Sequence, residues 1–119
     1  MKLYSHEDLW DMTRGKNDII LCDLDRTLAV HKFPGPIGTP IHRTIEAVHA
    51  ARRAGKTVIV WSCRFNEQYQ RKGRLPAGQL ADFFSWCKRH EVYVDGVLEL
   101  EKPICSEYWG DEATNVEDL

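Results

Sequence analysis

Two aspartates one residue apart, Asp23 and Asp25, followed by Thr27, close the apolar run "IILCD". Carboxylates this close repel one another. A hard cation removes the difficulty, because Mg²⁺ takes one or two carboxylates, several waters and a substrate phosphate. A turn whose aspartates cap backbone groups would use the same residue types. A second apolar run, "TVIVW", leads into Ser62, Cys63 and Arg64. A serine hydroxyl there can donate to a phosphate oxygen, and Arg64 can add a charged hydrogen bond. A plain turn would also account for this serine. Lys102, before Pro103, and Asp111, nine residues on, complete the set. Lys102 can neutralise phosphate charge and hold a nucleophile in place. Asp111 can supply another oxygen to a metal. Taken singly, both read better as surface residues of a polar tail.

These residues need elements to hold them. Ser5 and Asp8 form a capping pattern for a short helix from Ser5 to about Arg14, ended by Gly15. Residues Asp18 to Asp23 predict a strand buried on both faces, as in the middle of a parallel sheet. Arg26 to Pro40, with three prolines and two glycines, predicts a long loop. Thr39 and Pro40 then suit the cap and first position of a helix carrying Ile41, Ile45 and Val48 on one stripe, with Gly55 at its end. Thr57 to Trp61, rich in β-branched residues, predicts a second buried strand. A right-handed crossover places these two strands parallel and close together. Arg64 to Leu75 predicts a loop, followed by a helix opening near Pro76 with Leu80, Phe83, Phe84 and Cys87 in its core stripe. Glu91 to Val97 and Ser106 to Trp109 predict a third and a fourth strand. The alternation implies an α/β fold, a three-layer Rossmann-like sandwich with a mostly parallel central sheet. Chemistry in such a sheet sits at the carboxyl ends of the strands, where Asp23 and Ser62 fall.

In this order the residues resemble the motifs of the haloacid dehalogenase-like hydrolase superfamily. Its first motif is a strand ending D-x-D-x-T, matched by "LCDLDRT". A strand ending in Ser or Thr is matched by "VIVWS", the motif lysine by Lys102, and the last acidic motif by "YWGDEA". The sequence is more similar still to small bacterial and phage members with little or no cap domain, through "FPGPIGTP", "WSCR", "DGVLE" and "KPICSEYWGD". The likeness runs from about Ile19 to Ala113. Arg26 stands where the first motif often has glycine, and Gly110 where the closer relatives often have the first of two aspartates. A second carboxylate for that motif would come from Glu112, Glu117 or Asp118.

The resemblance implies a Mg²⁺-dependent phosphatase working through an aspartyl-phosphate. Asp23 would be the nucleophile, and Asp25 the acid that protonates the leaving oxygen and then the base that activates water. Ser62 and Lys102 would stabilise the transferring phosphoryl group. Thr27 and Arg64 would fix the loop and contact substrate. Asp23, Asp25 and Asp111 would hold the metal, Asp25 through its backbone carbonyl. Asp95 competes with Asp111 for the last motif, and chain order favours Asp111 because Lys102 follows Asp95. Neither gap between motifs has room for a full cap domain, so the site is expected to be open. Trp61, Phe65, Tyr69 and Trp109 are candidates for its entrance, with plain packing the simpler role.

The 119 residues suffice for one domain and one core. Sixteen Lys and Arg against 18 Asp and Glu give a formal charge of −2, which argues against bulk nucleic-acid binding. Local clusters at Arg52–Arg53 and Arg71–Lys72–Arg74 read most simply as solvated helix faces, and Arg71, Lys72 and Arg74 keep a nucleic-acid partner as the less favoured case. The expected substrate is therefore a small phosphorylated metabolite. Alternatives are a phosphatase acting on nucleic-acid 3′ ends and a phosphate-binding module without catalysis. An open site is also one that a neighbouring subunit of a homo-oligomer can close. No apolar run is long enough to span a bilayer, and Met1 to Trp10 lack a signal-peptide core, so a cytoplasmic, membrane-free protein is expected. Cys22, Cys63, Cys87 and Cys105 are scattered without a C-x-x-C pair, which fits neither a zinc site nor a disulfide framework.

Overall fold

The computed structural model of the chain describes residues 2–14, 18–66, 73, 75–98 and 107–109. In chain order the elements are β1 (Lys2–Tyr4), α1 (His6–Arg14), β2 (Ile19–Asp23), α2 (His42–Arg53), β3 (Thr57–Trp61), a 3₁₀ turn (Cys63–Phe65), α3 (Gln79–His90), β4 (Gly96–Leu98) and β5 (Glu107–Trp109). The five strands form one sheet in the order β1-β4-β3-β2-β5, and every pairing is parallel. β2 lies between β3 and β5, with Ile19 opposite Thr57 and Asp23 opposite Trp61.

Successive residues of a strand face opposite sides of the sheet, and both sides of β2 are covered. Ile20 and Cys22 join Val58, Val60 and Val97 in a core completed by Ile45, Val48 and Ala51 of α2 and Phe83, Trp86 and Cys87 of α3. Ile19 and Leu21 join Ile59, Leu98, Tyr4 and Leu9 of α1 on the other side. The protein is thus an α/β three-layer sandwich, as its alternation predicts. The placement of the helices follows from the strand order. The step from β1 to β2 runs one way across the sheet, and the steps from β2 to β3 and β3 to β4 run the other. Crossovers of one hand then put α1 on one face and α2 with α3 on the opposite one.

Three expectations need correction. The N-terminal strand β1 has no counterpart among the strands that the sequence predicts. It is an edge strand, paired with β4 alone among the described residues. Its docking explains Gly96, since a Cβ there would strike the Lys2 carbonyl and the ring of Tyr4. Second, α2 starts at His42 with Ile41 at its cap and no side-chain cap bond. Thr39 and Pro40 are used elsewhere. The Thr39 carbonyl accepts from the Val30 N–H at 2.8 Å, and Pro40 forms an antiparallel bridge with Ala29. Third, the strand expected over Glu91 to Val97 is only Gly96–Leu98. Glu91 ends α3 in the left-handed region, at φ 56°. The Val92 N–H bonds to the Cys87 carbonyl and the Tyr93 N–H to His49 Nε2. Those donors are lost to the sheet.

Asp95 therefore precedes its strand instead of ending one. It accepts from the Val58 N–H at 2.8 Å and pairs with Arg52 of α2, with both nitrogen–oxygen distances 3.3 Å. Val58 is the second residue of β3, so Asp95 sits at the opposite end of the sheet from Asp23. The capping pattern before α1 is present as predicted. The Asp8 N–H donates to Ser5 Oγ and the Ser5 N–H to Asp8 Oδ2, at 3.1 and 3.0 Å.

Candidate active site

Asp23 is the last residue of β2 and is half-buried at the carboxyl edge of the sheet. Because Asp23 pairs with Trp61, Ser62 comes one step beyond the end of the neighbouring strand. Asp25 lies in the turn that leaves β2. That turn is tied down by three donors, the N–H groups of Thr27, Leu28 and Ala29, all directed at the Leu24 carbonyl, while the Arg26 N–H returns to the Ala29 carbonyl at 2.8 Å. Arg26 has φ 70°, the left-handed conformation that costs a side-chain-bearing residue about 1–2 kcal/mol. Glycine avoids that cost, which gives a physical reason for the glycine that the resembled motif often has there.

Ser62 caps the 3₁₀ turn: its Oγ accepts from the Arg64 N–H at 3.1 Å. A hydroxyl that accepts in this way keeps its own O–H to donate. Thr27 is wholly buried, with Oγ1 lacking a hydrogen-bond partner among the described residues. Its position is inside the turn, away from any solvent-facing substrate.

Arg64 departs furthest from its expected role. It is the largest fully buried side chain among the described residues. Its Nε and Nη2 donate to Asp25 Oδ2 and Oδ1, both at 2.9 Å, a bidentate pair. Its Nη1 donates to the Gly35 carbonyl at 2.6 Å and to Gln79 Oε1 at 3.1 Å. The Phe33 ring centroid lies 5.4 Å from the guanidinium carbon. A guanidinium sealed in this way does not reach a substrate phosphate.

Phe33 and Gly35 belong to the segment between β2 and α2. This segment is a hairpin-like loop closed by the Ala29–Pro40 bridge, not a domain. Trp86 of α3 anchors it from the other side by donating Nε1–H to the Gly38 carbonyl at 2.9 Å. A cavity of about 480 Å³ opens between this loop and α3, and Lys32, Gly35, Gln79 and Arg89 are among its lining residues.

Cys63, which follows Ser62, is half-buried. Its pKa is raised first by burial and then by the charges of Asp25 and Asp23. Only the thiolate is a strong nucleophile, so this environment holds Cys63 in its less reactive thiol form. Phe65 packs on Phe83 at 5.4 Å between ring centroids instead of lining an entrance, and Trp61 packs on the α1 side of the sheet. Lys102, Asp111, Glu112, Glu117, Asp118, Tyr69 and the cluster Arg71, Lys72 and Arg74 lie outside the described residues, and Trp109 is described only as part of β5. The geometry thus brings Asp23, Asp25, Ser62, Thr27 and Arg64 together at one end of the sheet and excludes Asp95. Gly35 and Gln79, which hold Arg64, carry no signal in the sequence.

Among the described residues no group of three or more His, Cys, Asp or Glu side chains is arranged to hold a metal. The donors at the β2 tip are all oxygen, which suits Mg²⁺. Both carboxylate oxygens of Asp25 accept from Arg64. A cation here would accordingly take the Asp23 carboxylate and the Asp25 backbone carbonyl. No described helix is long and apolar enough to cross a membrane.

The fold recurs in solved structures. A conserved protein from Bacteroides thetaiotaomicron superposes with a TM-score of 0.60 over 83% of this chain and 82% of its own, at 17% identity. A D,D-heptose 1.7-bisphosphate phosphatase from B. bronchiseptica, complexed with magnesium and phosphate, gives a TM-score of 0.49 over 76% of this chain and 50% of its own, at 13% identity. At 17% identity the first likeness establishes a shared fold, and one fold hosts many activities. No protein-family model and no curated protein matches the sequence.

Proposed function

We propose that this chain is a phosphohydrolase that moves the phosphoryl group of a monoester first to Asp23 and then to water. The observation that carries the proposal is the meeting of Asp23, Asp25 and Ser62 at the carboxyl end of the two central strands, with Asp25 held in a fixed orientation. In the first step an Asp23 carboxylate oxygen bonds to phosphorus, the bond from phosphorus to the leaving oxygen breaks, and Asp25, carrying a proton on a lone pair that its bonds to Arg64 leave free, gives that proton to the leaving oxygen. In the second step Asp25 takes a proton from water as the water oxygen bonds to phosphorus. The bond to Asp23 then breaks, and inorganic phosphate leaves with the Asp23 carboxylate and the protonated Asp25 restored. The Ser62 hydroxyl donates to a phosphoryl oxygen, and Lys102 is proposed to neutralise the same group. Bound Mg²⁺, held by Asp23, the Asp25 carbonyl and, as proposed, Asp111, would offset the repulsion between carboxylate and phosphate. Thr27 shapes the turn that carries Asp25.

A small phosphorylated metabolite is the proposed substrate. The test is phosphate release with Mg²⁺ from sugar phosphates, nucleotides and oligonucleotides ending in a 3′-phosphate, by the protein and its Asp23→Asn variant. Release that requires both Mg²⁺ and Asp23 supports the proposal. Binding of these compounds without turnover by either protein contradicts it.

A further inference from the structure

A carboxylate that serves as acid in one step and base in the next must present the same oxygen to two different partners in turn. Asp25 is on a turn, two residues past the end of β2, where a side chain is not oriented by the sheet itself. Its orientation comes from Arg64. A bidentate guanidinium–carboxylate pair fixes the plane of the carboxylate as well as its distance, which a single hydrogen bond does not do. Burying an arginine is costly unless its geometry is well matched and its remaining protons are used. Here two further bonds, to the Gly35 carbonyl and Gln79 Oε1, bring four of the five N–H groups into use, and the Phe33 ring lies beside the guanidinium. One guanidinium thereby joins the turn after β2, the loop before α2 and the first residue of α3.

We infer that Arg64 is a positioning residue: it orients the Asp25 carboxylate toward the leaving oxygen and does not itself touch the substrate. The inference rests on the function proposed above. It makes the rate depend on Arg64 in the way that it depends on Asp25. General acid–base catalysis is worth about 10²–10⁴ in rate, and it matters most for poor leaving groups. Lysine at position 64 keeps the charge but not the fork.

The test measures kcat of Arg64→Lys on an alkyl phosphate and on p-nitrophenyl phosphate, with folding checked by circular dichroism. The expected loss is about a hundredfold or more on the alkyl ester and about tenfold or less on the aryl ester. In an Asp25→Asn background, Arg64→Lys should add no further loss on the alkyl ester, the non-additivity expected of residues acting as one unit. If Arg64→Lys does not fold, Gln79→Met serves instead. It removes one support of Arg64 while keeping the ion pair, and should shift the alkyl-to-aryl ratio in the same direction by a smaller factor. Equal losses on both esters, an unchanged ratio in Gln79→Met, or additive losses with Asp25→Asn would overturn the inference. Failure of the wild-type protein to turn over either ester, or full activity in Asp23→Asn, would instead overturn the proposed function.

Discussion

Replacing Asp25 by asparagine would remove the proposed general acid, and the structure predicts that it also weakens the fold. Arg64 is 0% exposed and the Asp25 side chain 14% exposed. In the variant a fully buried guanidinium loses its counter-charge. One of its N–H groups would face the amide N–H of asparagine, donor against donor. Removing one partner of a buried ion pair costs about 3–5 kcal/mol. The partial exposure of Asp25 and the one acceptor oxygen that asparagine keeps place the cost near the lower end, about 3 kcal/mol. Domains have only about 5–15 kcal/mol in total, and a loss of this size lowers the melting temperature by roughly 10 °C. Thermal and urea denaturation followed by circular dichroism measure it, with an unchanged urea m-value showing that stability alone has moved. Pairing Asp25→Asn with Arg64→Met removes both charges and should recover part of the loss. A single Asp25→Asn variant that melts within about 2 °C of the wild type would refute the buried pair as the organiser of the site.

Three other outcomes follow from particular contacts. Gly96→Ala places a methyl group against the Lys2 carbonyl and the Tyr4 ring and should cost about 2 kcal/mol by forcing β1 from β4, seen as a lower urea midpoint; an unchanged midpoint would contradict the packing of that edge. Arg26→Val, with a side chain in the left-handed region, should be about 1–2 kcal/mol less stable than Arg26→Gly, so equal melting curves for the two would count against that turn. His49 accepts from the Tyr93 N–H, and its pKa is lowered by burial first and then by Arg52 and Arg53. Its neutral form is the one that the fold favours, so the stability that it adds is present above the ordinary histidine pKa and lost as pH falls through the lower folded value. His49→Gln should flatten that part of the stability-versus-pH curve, and an unchanged curve would contradict this role of His49.

The elements legible in the sequence are those whose own residues decide their structure. β2 and β3 are uninterrupted apolar runs that suit only a strand covered on both faces. The Ser5–Asp8 cap is a local pattern and is found where it is expected. What escapes is decided by distant partners. The segment Lys2–Tyr4 has no strand signature of its own and is a strand because β4 offers it an edge at Gly96. Val92 to Val94 look like strand residues, but their N–H groups at 92 and 93 are claimed by a helix end and a histidine. Asp23, Asp25 and Ser62 are legible as a site because each follows directly on a readable strand. The place of Arg64 is not, since its partners Asp25 and Gln79 are 39 and 15 residues away in sequence. A charged residue after a serine at a strand end gives no sign that it is buried. Only the packing of three separate segments makes it so.

The covalent step proposed at Asp23 is tested most directly by trapping it. The wild-type protein, mixed with Mg²⁺ and an aryl phosphate, is quenched in acid during turnover, and its peptides are analysed by mass spectrometry. The account predicts one phosphoryl group on Asp23, absent from Asp23→Asn and longer-lived in Asp25→Asn handled at a temperature where it is folded. A phosphoryl group on Ser62 or any other residue, or steady turnover by Asp23→Asn, would contradict it.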